Sequence, residues 1–167
     1  MGVWNKLKFE FTKTYYPYKI KKTAASYKGK VYVGGKSYVT NNTHLGNNVC
    51  FNGMSMSGEG TIKIGENFHS GPGCQIITSF HNYEGDAIPY DDKLINKNVI
   101  IGDNVWLGNN VIILGGVTIG EGAIIQAGSV VCMDIPDCAI AGGHPAKAFK
   151  YRDKEHYYEL KKQKKFH

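Results

Sequence analysis

The sequence lacks the cysteine patterns of metal and redox sites, and it lacks any apolar run long enough to cross a membrane. Its four cysteines form no CxxC pair and have no zinc-finger spacing with histidine, so the sequence predicts neither a metal site nor a redox motif. We expect all four to be small buried side chains in a reducing compartment. No segment approaches the ~18 apolar residues of a membrane span, and no apolar leader opens the chain. These absences predict a cytoplasmic protein.

Acidic residues are scarce at both ends of the chain. Residues 1–28 carry seven lysines against one glutamate, and residues 147–167 carry eight basic residues against three acidic ones. The middle, residues 29–146, has five lysines against ten acidic residues. Basic ends can meet an anionic membrane surface, nucleic acid or a phosphorylated ligand. Their aromatic residues lack the spacing of a base-stacking platform, so we expect no nucleic-acid partner and keep peripheral membrane contact of the N-terminus as an alternative.

Glycine is abundant, and its recurrence accompanies a repeat of six residues. The 21 glycines form no low-complexity tract. An aliphatic residue recurs at every sixth position in the second half of the chain. The same period runs from Val33 to Phe51 and, one residue out of phase, from Ile64 to Ile76. The recurring residues of the second half are Ile95, Ile101, Leu107, Ile113, Ile119, Ile125 and Val131.

A period of six fits neither an α-helix nor one long strand, so each unit is predicted to be a short strand followed by a turn. Three units would close one triangular coil, with the aliphatic residue inside and Gly or Asn at the corners. The sequence therefore predicts an all-β parallel β-helix over residues 29–146. The two breaks in phase, at Gly53–Gly60 and Phe80–Asn96, are predicted to be excursions, and the second is a loop of residues 80–96 on which function is expected to lie.

Both basic ends have partial helical patterns. Residues 1–28 are predicted to contain a short amphipathic helix that caps the open end of the solenoid. Residues 147–167 are predicted to form a helix and tail, with the helix at Arg152–Lys165 packing on a neighbouring subunit. The apolar residues of the N-terminal pattern are Val3, Trp4, Leu7, Phe11 and Tyr15, and those of the C-terminal pattern are Tyr157, Tyr158 and Leu160.

The segment Val99–Tyr151 strongly resembles the hexapeptide-repeat acetyltransferases. It contains NVWLG, VTIGEGAIIQAGSVV, DIP and the closing GGHPAK in order and without gaps, and IGENFHSGPGCQIITSFHNYEG extends the resemblance to about residues 31–151. The resemblance implies a homotrimer of left-handed β-helices with acetyl-CoA as cosubstrate and active sites between subunits. The left hand is implied by the resemblance alone, because general chain-crossover preferences favour the right hand.

The resemblance also implies roles for residues of the donor site and for the base. His81 of SFHNYEG matches the family's general base, and an imidazole titrates near working pH. Trp106 of NVWLG matches a tryptophan beside the active site, with simple packing on the outer face as the alternative. Four further positions match contacts to coenzyme A: Asn109 and Ala127 along the pantetheine arm, and Lys147 and Lys150 at the nucleotide phosphates.

For the acceptor, the resemblance indicates Asn52 and the loop that follows His81. Asn52 matches an asparagine near the acceptor or oxyanion, with a turn-forming corner residue as the alternative. The loop offers tyrosines and carboxylates that suit a sugar's apolar face and hydroxyl rim. Glu84 is also a candidate to orient His81. The loop candidates are Tyr83, Glu84 and Asp86, together with Tyr90, Asp91 and Asp92.

Three histidines, His44, His69 and His81, raise the alternative of a γ-type carbonic anhydrase, which shares the fold and binds zinc. We reject that alternative because the ligand spacing of that family is missing, and we interpret His44 and His69 as face or interface residues.

The leading hypothesis is an acetyl-CoA-dependent O-acetyltransferase that acts on a hydroxyl of a carbohydrate acceptor, such as a polysaccharide, capsule, lipopolysaccharide or small sugar. Two alternatives remain open within the same chemistry: N-acetylation of an amino sugar or nucleotide sugar, and acetylation of a streptogramin-type antibiotic. A catalytically inactive β-helix that serves as a scaffold or binding module is the alternative of another class.

Overall fold

Short strands, one per face in each coil, form three parallel sheets that enclose a triangular core. A computed structural model describes the backbone of residues 3–167 and the side chains of residues 13–167. Two helices flank the strands, α1 (Val3–Thr23) and α2 (Lys154–Lys162). The strands are β1 (Ser26–Tyr27), β2 (Val31–Gly35), β3 (Thr43–Leu45), β4 (Val49–Asn52), β5 (Ser55–Ser57), β6 (Ile62–Ile64), β7 (His69–Ser70), β8 (Gln75–Ile77), β9 (Ser79–His81), β10 (Leu94–Asn96), β11 (Val99–Ile101), β12 (Trp106–Leu107), β13 (Ile112–Leu114), β14 (Thr118–Ile119), β15 (Ile124–Ile125), β16 (Val130–Val131), β17 (Ala139–Gly143) and β18 (Ala146–Tyr151).

The order of the strands shows how the chain winds. The first sheet is β1-β3-β6-β11-β14, the second is β18-β17-β15-β12-β7-β4-β2, and the third is β16-β13-β8-β5. Neighbours within these sheets are parallel, except that β18 returns antiparallel along β17. The chain visits the three sheets in turn and returns to the first one coil later. This architecture confirms the predicted parallel β-helix with a helical segment at each end.

The repeat positions point into the prism, as the six-residue period predicts. From Ile101 to Val131 each aliphatic residue of the series is at most 2% exposed. Ile95 is the exception, since it is 37% exposed and lies in β10, which pairs antiparallel with β9. Its place in the predicted series was therefore wrong, because the hairpin carries it outside the coil.

The two phase breaks have different structures. Residues 53–60 stay within the coil, where they contain β5 and the buried Met54 and Met56. Two glycines in this segment, Gly53 and Gly58, have positive φ, and an added Cβ at Gly58 would lie 2.5 Å from the backbone nitrogen of Ser79. The prediction of an excursion was wrong there, because tight glycine turns keep the chain within the coil. The second break does leave the coil, as the β9–β10 hairpin.

The ends of the chain pack on the β-helix of the same chain. Ile20 of α1 is buried in the core and Tyr16 packs against it. The prediction that the N-terminal helix uses an apolar face cannot be followed at four of its residues, whose side chains lie outside the described part: Val3, Trp4, Leu7 and Phe11. The hydroxyl of Tyr157 in α2 accepts a hydrogen bond from Asn104 and donates one to Glu121. The expectation that α2 packs on a neighbouring subunit was therefore wrong for this face of the helix.

Two further expectations concern cysteines and membranes. Cys74 and Cys138 are buried and Cys50 is half-buried, but Cys132 is exposed, contrary to prediction, because it lies just after β16 at a position that faces outward. Within the described part of the chain, no helix is both long and apolar enough to cross a bilayer.

Candidate functional site

His81 lies at the point where the chain leaves the coil. It is the last residue of β9, it pairs with Leu94 across the hairpin, and its side chain is exposed. Asp91 closes the loop that follows, because its carboxylate accepts hydrogen bonds from the Asn82 side chain at 2.9 Å and from the Lys93 backbone at 2.8 Å. Gly85 packs so closely on this carboxylate that no Cβ would fit. Asp91 thus stabilises the loop, and each of its two carboxylate oxygens already accepts one hydrogen bond.

The closed loop brings Tyr90 over the ring of His81. The two ring centroids are 3.8 Å apart and the rings are inclined by 14°, which is a stacked arrangement. Among the described residues, the imidazole of His81 has no hydrogen-bond partner. The carboxylate of Glu84 makes no hydrogen bond to it either. In the described chain, the His81 ring is therefore held by stacking on the face of Tyr90, and Glu84 stays a candidate.

The other loop residues predicted for the acceptor make no hydrogen bond to His81 or Tyr90 in the described chain. Tyr83, Glu84 and Asp86 are all exposed, and Tyr83 is 73% exposed. They are accessible to an external ligand.

A second group of residues lies on the outer face of the second sheet. The parallel register places Tyr32 beside Cys50, Cys50 beside His69, and His69 beside Trp106. The indole of Trp106 is 51% exposed. These side chains form an outward column, because alternate residues of a strand point away from the core.

Asn52 follows this column at the end of β4, and its amide is already engaged. Its Nδ2 atom donates to the Ser70 carbonyl at 3.0 Å and lies 3.2 Å from His69 Nε2. Burial, followed by the charge of the nearby His167 ring, lowers the pKa of His69. A neutral His69 can accept the second amide hydrogen. The Nδ2 atom of Asn52 is thus engaged, whereas its Oδ1 atom, which lies against Gly34, accepts no hydrogen bond within the described chain.

The residues expected along coenzyme A occupy one corner and the last strand. Asn109 and Ala127 lie at successive levels of the corner that follows the second sheet, and the Asn109 carbonyl accepts from Gly128 N at 2.8 Å. Both are exposed, and an added Cβ at Gly128 would meet nothing within 4 Å. Lys147 and Lys150 are exposed on β18. No side chain therefore blocks an extended ligand at Gly128 of this corner. The two lysines of β18 are exposed and could meet an anionic part of such a ligand.

A cavity of about 690 Å³ lies between the outward column and the C-terminal segment. Tyr32, His69 and Trp106 line one wall. The opposite wall belongs to α2 and the tail behind it, and we call the space the α2 cavity. The lining residues of this opposite wall include Arg152, Tyr157, Leu160, Lys161, Lys165, Phe166 and His167.

Sequence reasoning brought together some of these residues and missed others. Asn52 and Trp106 share the second sheet with His69, but no hydrogen bond or ring contact in the described chain joins either to His81. The α2 cavity was missed because its far wall comes from a helix whose docking the sequence does not specify. The column itself has a signal, since Cys50, His69 and Trp106 recur at the outward position of successive visits to the second sheet.

The histidines do not assemble into a zinc site in the described part of the chain. No group of three His, Cys, Asp or Glu residues there could hold a metal ion. His44 instead bonds Ser26 Oγ at 2.8 Å through Nδ1, and His69 faces the α2 cavity.

Comparison with known proteins adds a family to this geometry. The bacterial transferase hexapeptide (six repeats) family matches residues 98–132. A maltose O-acetyltransferase from Clostridium difficile 630 is 32% identical, with 77% of this chain and 67% of that chain covered and a TM-score of 0.62. None of the curated proteins matches the sequence.

Two further solved structures contain coenzyme A or acetyl-CoA. A galactoside acetyltransferase in complex with coenzyme A is 26% identical, with 92% of this chain and 82% of that chain covered and a TM-score of 0.72. An acetyltransferase from Vibrio cholerae in complex with acetyl-CoA is 26% identical, with 88% and 84% covered and a TM-score of 0.61. Structures of N-acyltransferases that are under 25% identical share the fold alone. From the repeat, the three-sheet prism and the match to the maltose enzyme together, the chain belongs to the hexapeptide-repeat acetyltransferase family, whose donor is acetyl-CoA.

Proposed function

We propose that the protein transfers the acetyl group of acetyl-CoA to a hydroxyl of a carbohydrate, with His81 as the general base. The observation that carries the proposal is the position of His81, which is exposed where the chain leaves the coil and held by stacking on Tyr90. Support for oxygen as the acetylated atom comes from the similarity to a maltose O-acetyltransferase. Asn52, with a carbonyl oxygen available to a hydroxyl, fits the same class of acceptor.

The reaction moves one proton in two successive transfers and needs no covalent enzyme intermediate. The acceptor oxygen attacks the thioester carbonyl while the imidazole of His81 removes the hydroxyl proton. The new carbon–oxygen bond forms, the carbon–sulfur bond breaks, and the proton passes from the imidazole to the leaving thiolate. The thioester supplies the activated acetyl group, so the protein has to position the two substrates and move this proton.

The corner at Asn109 and Ala127 is the proposed track of the pantetheine arm. Small, exposed corner residues let an extended chain approach the backbone, and the open surface at Gly128 meets this requirement. Lys147 and Lys150 are proposed to meet the nucleotide phosphates as point charges.

A homotrimer is the proposed working assembly. Within one protomer His81 is not joined to Asn52 or Trp106 by any described hydrogen bond or ring contact. A site that contains all three is then made between protomers, when the loop of one subunit approaches the second sheet of the next. Native mass spectrometry should accordingly give three times the 18.5 kDa protomer mass.

The test is thiol release from acetyl-CoA with the wild type, His81→Ala and a matched control, His156→Ala, whose side chain is exposed on α2. The acceptors are neutral sugars, amino sugars, nucleotide sugars and streptogramins. We expect one class to support turnover and His81→Ala to lose at least ~100-fold, the usual contribution of a general base. The His156→Ala control should keep the wild-type rate.

Product chemistry separates the candidate reactions. An ester product is cleaved by hydroxylamine, whereas the amide of an N-acetylated product survives it. Full activity of His81→Ala would contradict the base assignment. An amide product would contradict O-acetylation, and failure to bind coenzyme A would favour the scaffold alternative.

A further inference from the structure

The α2 cavity combines aromatic surface with positive charge, and no protein group fills it. Its volume of about 690 Å³ lies within the range of small-molecule sites, roughly 300–1,000 Å³. Three aromatic side chains that line it are partly exposed, namely Tyr32 at 48%, Trp106 at 51% and Phe166 at 44%. Aromatic faces of this kind stack on planar rings and on the apolar faces of sugars.

Three cations line the same cavity, and no Asp or Glu side chain does, while the terminal carboxylate of His167 accepts a hydrogen bond from Asn48. Arg152 uses its Nε atom on the Gly122 carbonyl at 2.6 Å, which leaves its remaining N–H groups for a ligand. Lys161 is paired with Glu121 at 2.6 Å. Lys165 has no salt-bridge partner among the described residues. An uncompensated cation on the wall of a partly enclosed space favours an anionic ligand.

His69 offers a titration readout for a bound anion. It lies on the wall opposite α2, and burial, followed by the interaction with His167, lowers its pKa. An anion bound beside the ring would raise that pKa again.

The cavity also adjoins the proposed site of transfer. Trp106 and His69 are neighbours in the second sheet, and His69 Nε2 lies 3.2 Å from the Asn52 amide nitrogen. An acceptor with its hydroxyl at Asn52 would have its remaining part directed along this wall. The far end of that part would reach the cations of the C-terminal segment.

We propose that the α2 cavity binds the portion of the acceptor remote from the acetylated hydroxyl, and that this portion carries an anionic group, a phosphate or a carboxylate. The inference rests on the proposed function and deepens it, since it assigns the acceptor to the charged carbohydrates. Lys165 is the residue that selects the charge, and the aromatic rings of the cavity hold the sugar face.

The experiment measures binding to the full chain by calorimetry, without acetyl-CoA, so that its result does not depend on turnover. The probes are galactose, galactose 1-phosphate and galacturonate, which share a ring and differ in charge. The variants are Lys165→Gln and a matched control, Lys162→Gln, an exposed residue of α2 outside the cavity lining. Both positions are exposed, so neither change threatens folding.

We expect at least one charged sugar to bind about tenfold more tightly than galactose, the size of a partly solvated charge-assisted hydrogen bond. Lys165→Gln should remove that advantage and Lys162→Gln should keep it. The proton resonances of His69 should titrate at higher pH when the charged sugar is bound. Preference for the phosphate or for the carboxylate distinguishes the two sources of charge.

Several outcomes would overturn the inference. Equal affinities for charged and neutral sugars, or equal losses in the two variants, would remove the charge selection by Lys165. Displacement of the charged sugar by coenzyme A would assign the cations to the donor instead. Acetylation of a neutral sugar by the wild type at least as fast as of its charged counterparts would refute the inference and leave the proposed function standing. Charge-selective binding without acetyl transfer to any sugar would support the cavity and refute the proposed reaction.

Discussion

At the scale of single residues, the orientation of the proposed base, His81, depends on Tyr90, which comes from the far side of the same loop. Tyr90 covers one face of the His81 ring, and Asp91, the next residue, fixes the loop through Asn82 and Lys93. An exposed imidazole without a hydrogen-bond partner would otherwise sample several rotamers. The tyrosine ring therefore limits the orientations from which His81 can take a proton.

Removal of the Tyr90 ring should slow the chemical step. We expect Tyr90→Ala to lower kcat by about tenfold, because a mispositioned base loses part of the benefit of orientation, while the KM for acetyl-CoA stays unchanged. Tyr90→Phe keeps the stacking face and should restore kcat. Steady-state kinetics of the two variants, once an acceptor is known, provide the measurement. Equal losses of kcat in both variants would mean that the hydroxyl, rather than the face, is what matters.

Residues of this kind mark the limit of prediction from sequence. The inward positions from Ile101 to Val131 could be predicted, because burial follows a strict local period. Ile95 keeps the period and was misplaced, since pairing with Phe80 in a hairpin overrides it. The stacking of Tyr90 on His81 has no periodic signal, because it depends on how a loop closes on itself.

At the scale of elements, α2 is fixed to the prism by a small polar cluster. The Tyr157 hydroxyl bridges Asn104 and Glu121, each at 2.9 Å, and Glu121 also accepts from Lys161. Burial, with the hydrogen bond to Glu121, raises the pKa of Tyr157 well above its ordinary range. Gly122 leaves room for the ring, because a Cβ there would lie 2.8 Å from the Tyr157 ring. The helix could be predicted from its apolar stripe, but its partner could not, since an apolar stripe does not specify its target.

Loss of the Tyr157 hydroxyl should loosen α2. We expect Tyr157→Phe to lower the free energy of unfolding by about 1–2 kcal/mol, because the half-buried Asn104 amide loses its acceptor. Amide hydrogen exchange across residues 153–167 should also become faster. Denaturant unfolding and exchange mass spectrometry test both effects.

Tyr151→Phe is the matched control, since Tyr151 is 47% exposed on β18 and its hydroxyl makes no hydrogen bond within the described chain. This variant should unfold like the wild type. Unchanged exchange in Tyr157→Phe would show that apolar contacts, rather than the polar cluster, hold α2 in place.

At the scale of the whole molecule, stability is expected to come from the column of aliphatic side chains. Ile113 is fully buried between its neighbours in the third sheet, whereas Ile100, in the first sheet, points outward and is 46% exposed. We expect Ile113→Ala to cost about 2–5 kcal/mol, from lost burial and the cavity left behind. Ile100→Ala should change the unfolding free energy by only a few tenths of a kcal/mol, as is usual for an exposed position.

Chemical denaturation of both variants gives the comparison. A similar loss in the two would indicate that the outward face is itself covered, as a subunit contact would cover it. In that event native mass spectrometry of Ile100→Ala should give a smaller assembly than the wild type.

The β9–β10 hairpin separates the length of the loop from the winding of the coil. The chain leaves at Ser79 and returns at Asn96, its partner across the hairpin, and Lys97 N then donates to the Thr78 carbonyl at 2.8 Å. Insertions or deletions between these points shift no core residue, because the exit and the re-entry are tied to each other. The loop can thus vary without disturbing the solenoid, so replacement of this segment would change the proposed acceptor site and leave the proposed donor corner in place.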